Sequence, residues 1–172
     1  MKAAQQITEI TEQTIREALL DVMDPEIPNL SIIDLGIVRN IEVGEGSIEV
    51  EIMPTFVGCP ALEVIKEGVR ERLGEIAPGY ATTVKVIMDE PWTSDRISEK
   101  GRQVLKASGF APPPPMRHMP ARANLIQLMP VAECPYCNSR NTSMDNAFGP
   151  TLCRAIYYCR DCRQPFEQFK SV

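Results

Sequence analysis

Apolar residues recur at Ile15, Leu19, Val22 and Met23, the spacing of one helix face, which predicts an amphipathic helix over roughly Thr8 to Met23, ended by Asp24-Pro25. Two strand-like runs follow. Gly36–Val43 and Ser47–Met53 flank Gly44-Glu45-Gly46, and in the second run Ile48, Val50 and Ile52 alternate with Glu49 and Glu51, so the pair reads as a hairpin with one dry and one wet face. The stripe Leu62, Ile65, Val69, Leu73, Ile76 predicts a helix from Pro60 to Ile76, closed by Pro78-Gly79, that packs on the dry face. Beyond it, Thr82–Met88 reads as a third strand and Thr93–Ser108 as a closing helix capped by Thr93, Ser94 or Asp95. The expected class is α+β, a small three-stranded mixed sheet packed with helices over residues 1–110.

A proline run, Pro112–Pro115, with Pro120 and Pro130 beyond it, cannot donate backbone hydrogen bonds and favours an extended path, so 111–130 reads as a linker to a small unit at 131–172. The same prolines would also suit an aromatic-lined recognition groove. A length of 172 residues with 44 % hydrophobic content allows one modest domain plus such an appendage. The start, Met1–Gln6, has no apolar core of the kind an export signal carries, and no apolar run approaches membrane-spanning length. A cytoplasmic chain with reduced cysteines is expected. Residues 1–111 hold 11 Lys/Arg against 19 Asp/Glu, and residues 131–172 hold 5 against 4. An acidic main domain argues against a nucleic-acid partner, for which a clustered basic face is the usual footprint.

The sharpest chemistry lies in Cys134-Pro135-Tyr136-Cys137 and Cys159-Arg160-Asp161-Cys162. Two residues between cysteines let a tight turn aim both sulfurs at one ion, and two such turns supply the tetrahedral four-thiolate set of a structural zinc site. The 21 residues from Asn138 to Tyr158 leave room for a hairpin, so a four-Cys zinc ribbon is expected. An iron-bearing site of the same ligands, or disulfides and free thiols, are the other readings. A closed four-thiolate site is not catalytic.

Cys59 precedes Pro60, which suits a first helical position, and would then stand at a helix N-cap. There the dipole would favour a thiolate able to act as nucleophile or metal ligand, whereas a buried inert cysteine is the bland alternative. Asp24, Glu26 and Asp34 share a loop stiffened by Pro25 and Pro28, where they either hold a metal or a partner, or cap turns. No nucleophile elbow, phosphate loop, dinucleotide fingerprint or Glu-x-x-His pair occurs, and the single histidine, His118, lies in the linker. No catalytic residue is assigned, and the chain is not expected to be an enzyme.

The stretches Asp24–Val38, Thr55–Pro60 and Glu90-Pro91-Trp92 resemble the metal-sulfur (iron-sulfur) cluster assembly family that includes SufT, over residues 8–110. With Cys134–Cys137, Phe148–Cys153, Cys159–Cys162 and Pro165–Lys170 added, nearly the whole chain is similar to the PaaD family. Its members are accessory D proteins of phenylacetyl-CoA 1,2-epoxidase (ring 1,2-oxygenase) systems in aerobic phenylacetate catabolism. The resemblance implies a maturation factor that helps to place an iron-sulfur cluster or iron in an oxygenase or reductase component, the iron-sulfur reductase above all. By it Asp24, Glu26, Asp34, Thr55 and Cys59 carry over as residues that handle iron or a cluster transiently, and Cys134, Cys137, Cys159 and Cys162 as ligands of structural zinc. Asn138 stands where the family has a knuckle glycine and must supply the same left-handed backbone. The family is compatible with a homodimer. A non-catalytic structural subunit of the oxygenase complex is the runner-up, and a nucleic-acid-binding ribbon is disfavoured by charge.

Overall fold

A computed structural model describes residues 9–27, 29–114 and 131–170. The chain divides into two compact units, Met1–Glu90 and Pro91–Val172. The division falls ahead of the boundary expected at residue 110, because the closing helix and the strand after it belong to the second unit. Residues 115–130 of the expected linker 111–130, including His118, lie outside the described residues, as do Thr8 and Pro28, and Ala111, expected to begin the linker, instead belongs to a strand, Phe110–Ala111.

The first unit opens with α1 (Glu12–Ala18). Thr11 caps it in a reciprocal box: its hydroxyl accepts from the Thr14 N–H while the Thr14 hydroxyl accepts from the Thr11 N–H. The expectation of a helix to Met23 is corrected. α1 tightens into a 3₁₀ turn at Leu19–Asp21 and stops, because Val22 and Met23 are drawn into an extended pairing. The Val22 carbonyl accepts from Ile32 N–H (2.9 Å), and Asp24 N–H donates to the Leu30 carbonyl (2.8 Å). Strands β1 (Val38–Gly44) and β2 (Ser47–Ile52) form the expected antiparallel hairpin, turning at Glu45-Gly46. Gly46 adopts φ +73°, the left-handed conformation that a two-residue hairpin turn demands and glycine supplies without strain.

Helix α2 (Leu62–Ile76) carries the chain to β3 (Ala81–Val86), which pairs parallel to β2 with Val50 opposite Val84. A parallel neighbour needs such a crossover, so the mixed three-stranded sheet follows from a hairpin plus one helix. Ile65, Val69 and Leu73 on α2 are buried together with Ile15, Leu19, Ile48, Val50 and Ile52, as the periodicities require. The wet face carries the glutamates of β2.

In the second unit the helix expected over Thr93–Ser108 is interrupted. Ser94–Arg96 is a 3₁₀ turn, Ile97 is extended, and α3 (Glu99–Ala107) starts afresh at Ser98, whose hydroxyl accepts from Gly101 N–H (2.9 Å). Strand β4 (Phe110–Ala111) pairs parallel to β7 (Pro165–Phe169), which continues through β6 (Arg154–Cys159) to β5 (Thr142–Asn146) in a four-stranded sheet. Trp92, 2 % exposed, meets Phe169 edge to face at 5.7 Å between ring centres. The Arg154 guanidinium lies 5.2 Å from the centre of the Phe110 ring and pairs with Glu167 at 2.9 Å. Residues 91–111 are thus part of the core of the ribbon unit. Trp92→Ala should cost about 3–5 kcal/mol of that unit's stability, the usual range for deleting a buried large aromatic. Chemical denaturation followed by circular dichroism would test this, and a loss below about 1 kcal/mol would mean that Trp92 adds nothing to the ribbon.

Candidate metal centre and thiol site

The two C-x-x-C segments fold into matching knuckles. In the first, Asn138 N–H donates to the Cys134 carbonyl (2.9 Å) and Cys134 N–H to the Ser139 carbonyl (2.9 Å). In the second, Arg163 N–H donates to the Cys159 carbonyl (2.9 Å) and Cys159 N–H to the Gln164 carbonyl (3.0 Å). Asn138 and Arg163 both take φ 61°, so the left-handed corner expected at Asn138 recurs at an arginine, a residue type that does not announce it. The signal that could have found it is position: each corner falls four residues after the first cysteine of its pair.

These turns bring four sulfurs together. Cys134 and Cys162 lie 3.6 Å apart, Cys137 and Cys159 also 3.6 Å, and all four fall within 4.8 Å of one another. A zinc–sulfur bond of about 2.3 Å implies a tetrahedral edge of about 3.8 Å, so the set fits one tetrahedral ion. A disulfide would need about 2 Å, and all six cysteines are free thiols, which sets aside the disulfide reading. Cys134 and Cys159 are buried, whereas Cys137 is exposed. Main-chain donors meet the negative charge. The N–H groups of Cys162 and Asp161 hold the Cys159 thiol down to about 7, while burial and the neighbouring sulfurs push Cys162 up to about 12. Without a cation the four cannot ionise together, and a bound dication is what lets them do so. Asp161 ties the knuckles, accepting from the Ser139 hydroxyl (2.6 Å) and the Asn141 amide (2.7 Å), which hold its carboxyl below the ordinary range.

In the first unit the antiparallel register carries the loop before β1 and the loop after β2 to one end of the sheet, where Met53 N–H donates to the Ile37 carbonyl (2.8 Å). The residues after β3 arrive at the same end, with Ile87 N–H on the Ile52 carbonyl (2.9 Å). Asp34, Thr55 and Cys59 therefore share a sheet end. Arg39 braces it through Glu51 (3.8 Å), Asp89 (3.7 Å) and Glu90 (3.3 Å), a role that no sequence pattern announced. Asp34 and Thr55 are buried, Cys59 is half-buried, and Val57 beside it is 78 % exposed.

The expected N-cap role of Cys59 is corrected. The α2 N-cap is Ala61, and Cys59 sits before it in a lead-in turn, with its N–H on the Phe56 carbonyl (3.2 Å) and its carbonyl accepting from Leu62 N–H (3.3 Å). Pro60 therefore belongs to the turn, outside the helix proper. Gly58, at φ +83°, makes the reversal that presents Cys59. Asp24 caps its own loop, accepting from the N–H groups of Glu26 (2.8 Å) and Ile27 (3.0 Å). Asp34 accepts from the Ser31 hydroxyl (3.0 Å), whose oxygen takes the Asp34 N–H in return. Among the described residues, only the ribbon cysteines gather three or more ligand atoms that could hold one ion; Asp24, Glu26, Asp34 and Cys59 do not form such a set.

Two family models match, one described as iron-sulfur cluster assembly protein over residues 12–86 and one described as PaaD zinc beta ribbon domain over 120–170. The chain is 38 % identical to a protein of Escherichia coli (strain K12) named as a putative subunit of 1,2-phenylacetyl-CoA epoxidase, over 90 % of this chain and 89 % of that protein. It is 34 % identical to the Fe-S protein maturation auxiliary factor SufT of Staphylococcus aureus (strain USA300), over 51 % of this chain and 99 % of that one. The crystal structure of a domain of unknown function, DUF59, from Bacillus anthracis superposes with a TM-score of 0.52 at 27 % identity, covering 55 % of this chain and 90 % of that domain.

Proposed function

The chain belongs to the PaaD-like family, and from that membership we infer a non-catalytic accessory factor that matures the phenylacetyl-CoA epoxidase system in the cytoplasm. Similarity to proteins named as Fe-S maturation factors supports an accessory role in iron-sulfur handling. The observation that carries the reading is the pairing of two units in one chain: a sheet end that presents the half-buried thiol of Cys59, and a closed four-thiolate ribbon.

Iron or an iron-sulfur cluster is the cargo in this reading. Cys59 offers the soft sulfur that such cargo needs, Asp34 and Thr55 belong to the loops at the same sheet end, and Asp24 and Glu26 to the loop that precedes Asp34. Cys134, Cys137, Cys159 and Cys162 hold zinc, which supplies folding energy and, with four protein ligands, leaves no open position for chemistry. The client is a component of the epoxidase, the iron-sulfur reductase first among them. Iron and acid-labile sulfide should be measured in each epoxidase component produced with and without this protein. The reductase made without it should be deficient; equal contents would refute the reading.

The Escherichia coli relative is named as a subunit, which favours a second reading as a structural part of the complex. Co-purification at fixed stoichiometry with active complex would support that reading, and absence from active complex would support a transient factor.

A further inference from the structure

Among the described residues the two sheets present four edge strands, and they are not alike. β1 and β5 each carry a shift of register, between Val38 and Asn40 and between Met144 and Asn146, while β4 is only two residues long. Irregular pairing and short length are devices by which natural sheets keep an edge from receiving another strand. β3 has neither. Its six residues, Ala81–Val86, pair with β2 in unbroken register and include no proline.

The main chain of β3 is equally regular. Ala81 N–H donates to the Gly46 carbonyl (2.8 Å) and Ile87 N–H to the Ile52 carbonyl (2.9 Å), so Ala81, Thr83, Lys85 and Ile87 turn their main-chain groups toward β2. Thr82, Val84 and Val86 therefore turn theirs outward, where no strand lies beside them among the described residues. The side chains show the same gap. On the dry face Ile48, Val50 and Ile52 of β2 are fully buried, whereas Thr82, Val84 and Val86 opposite them are only half-buried.

We propose that β3 pairs antiparallel with β3 of a second copy of this chain, joining two three-stranded sheets into one. The edge itself selects a register with its two-fold axis at Val84. That axis sets Val84 against Val84 and Thr82 against Val86, so every outward residue meets an outward residue, and each such pair exchanges two main-chain hydrogen bonds. All of these side chains are β-branched, a type that packs well on a pleated surface. On the wet face Lys85, the one charged residue of β3, meets Thr83 of the second copy, and its ammonium is already held by Glu49. An axis at Lys85 would set the two lysines directly opposite each other, and an axis at Thr83 would carry Val86 past the strand to face Tyr80. Because the copies run in opposite directions, their Cys59 ends lie at opposite ends of the joined sheet and the two thiols do not meet.

The test uses the full-length, metal-loaded chain. Six residues a side is few for an interface, so sedimentation equilibrium should show a dimer that grows as the protein is concentrated. In the dimer the amides of Thr82, Val84 and Val86 should exchange with deuterium at least about tenfold more slowly than in dilute protein, while those of Thr83 and Lys85 change little. Val84→Pro removes an outward N–H and no bond to β2, a position at which an edge strand tolerates proline, so the fold should persist while the dimer weakens at least about tenfold. Thr82→Pro is a second variant of the same kind, and the wild-type amides decide the matter even where a variant does not fold. A wild-type chain that stays monomeric with fast outward amides overturns the pairing. So does a dimer that survives both proline variants, since its joint then lies elsewhere. Outward amides protected only when a purified epoxidase component is added would give the edge to a strand of the client and overturn pairing between copies.

Discussion

Replacing Cys134, Cys137, Cys159 or Cys162 with serine should release the metal and unfold the second unit while the first keeps its structure. The four sulfurs close one coordination sphere, so losing any of them opens it. A structural zinc site contributes about 10–16 kcal/mol to a small ribbon, more than a unit of this size gains from its own core. That core is modest, built around Ala111, Ala132, Ala155, Tyr157 and Phe166 with the buried cysteines themselves. Trp92 makes the outcome visible, since it is the only tryptophan in the chain and packs against Phe169 inside the second unit. Its emission should shift to the red as metal leaves, either in a cysteine variant or on chelation. The helical signal of α1 and α2 should persist, because those elements are packed within the other unit. Metal-free protein with Trp92 emission unchanged would show that the ribbon does not depend on its ion.

Cys59→Ser should abolish the maturation activity while leaving the melting temperature nearly unchanged. The thiol is half-buried, belongs to a lead-in turn, and caps no helix, so its replacement by a hydroxyl of similar size removes little packing. A cost within about 0.5 kcal/mol is expected, as for substitutions away from core and cap positions. What disappears is the soft ligand that iron or a cluster requires, and a hydroxyl does not substitute for it at neutral pH. Cells carrying the variant should accumulate cluster-deficient reductase and grow poorly on phenylacetate. Wild-type growth and cluster content in that strain would remove Cys59 from the mechanism and favour the structural-subunit reading.

Local pattern carried most of the architecture. The alternation of Ile48, Val50 and Ile52 set which face of β2 is buried, and the stripe Ile65, Val69, Leu73 set which side of α2 faces it. Both are decided by burial of residues close in sequence, which period alone reveals. The paired C-x-x-C spacing was equally sufficient, because a knuckle closes within six residues and its corner at Asn138 depends on that residue's own backbone tolerance.

Long-range competition decided the rest. α1 stops short of Met23 because Ser31 and Ile32 claim the backbone of Met23 and Val22, a pairing that helix propensity does not contain. Cys59 falls outside the cap because the reversal at Gly58 places Pro60 in a turn, where a proline suits either position. Residues 91–111 read locally as the close of the first domain, yet Trp92 is buried on Phe169 and Phe110 pairs with Glu167, both contributed by the C-terminal strand. A sequence by itself determines periodicity, turn chemistry and ligand spacing, since each is settled within a few residues. Which strand receives an edge, and which core receives a tryptophan, depends on surface buried between segments far apart in the chain, and only the tertiary structure decides it.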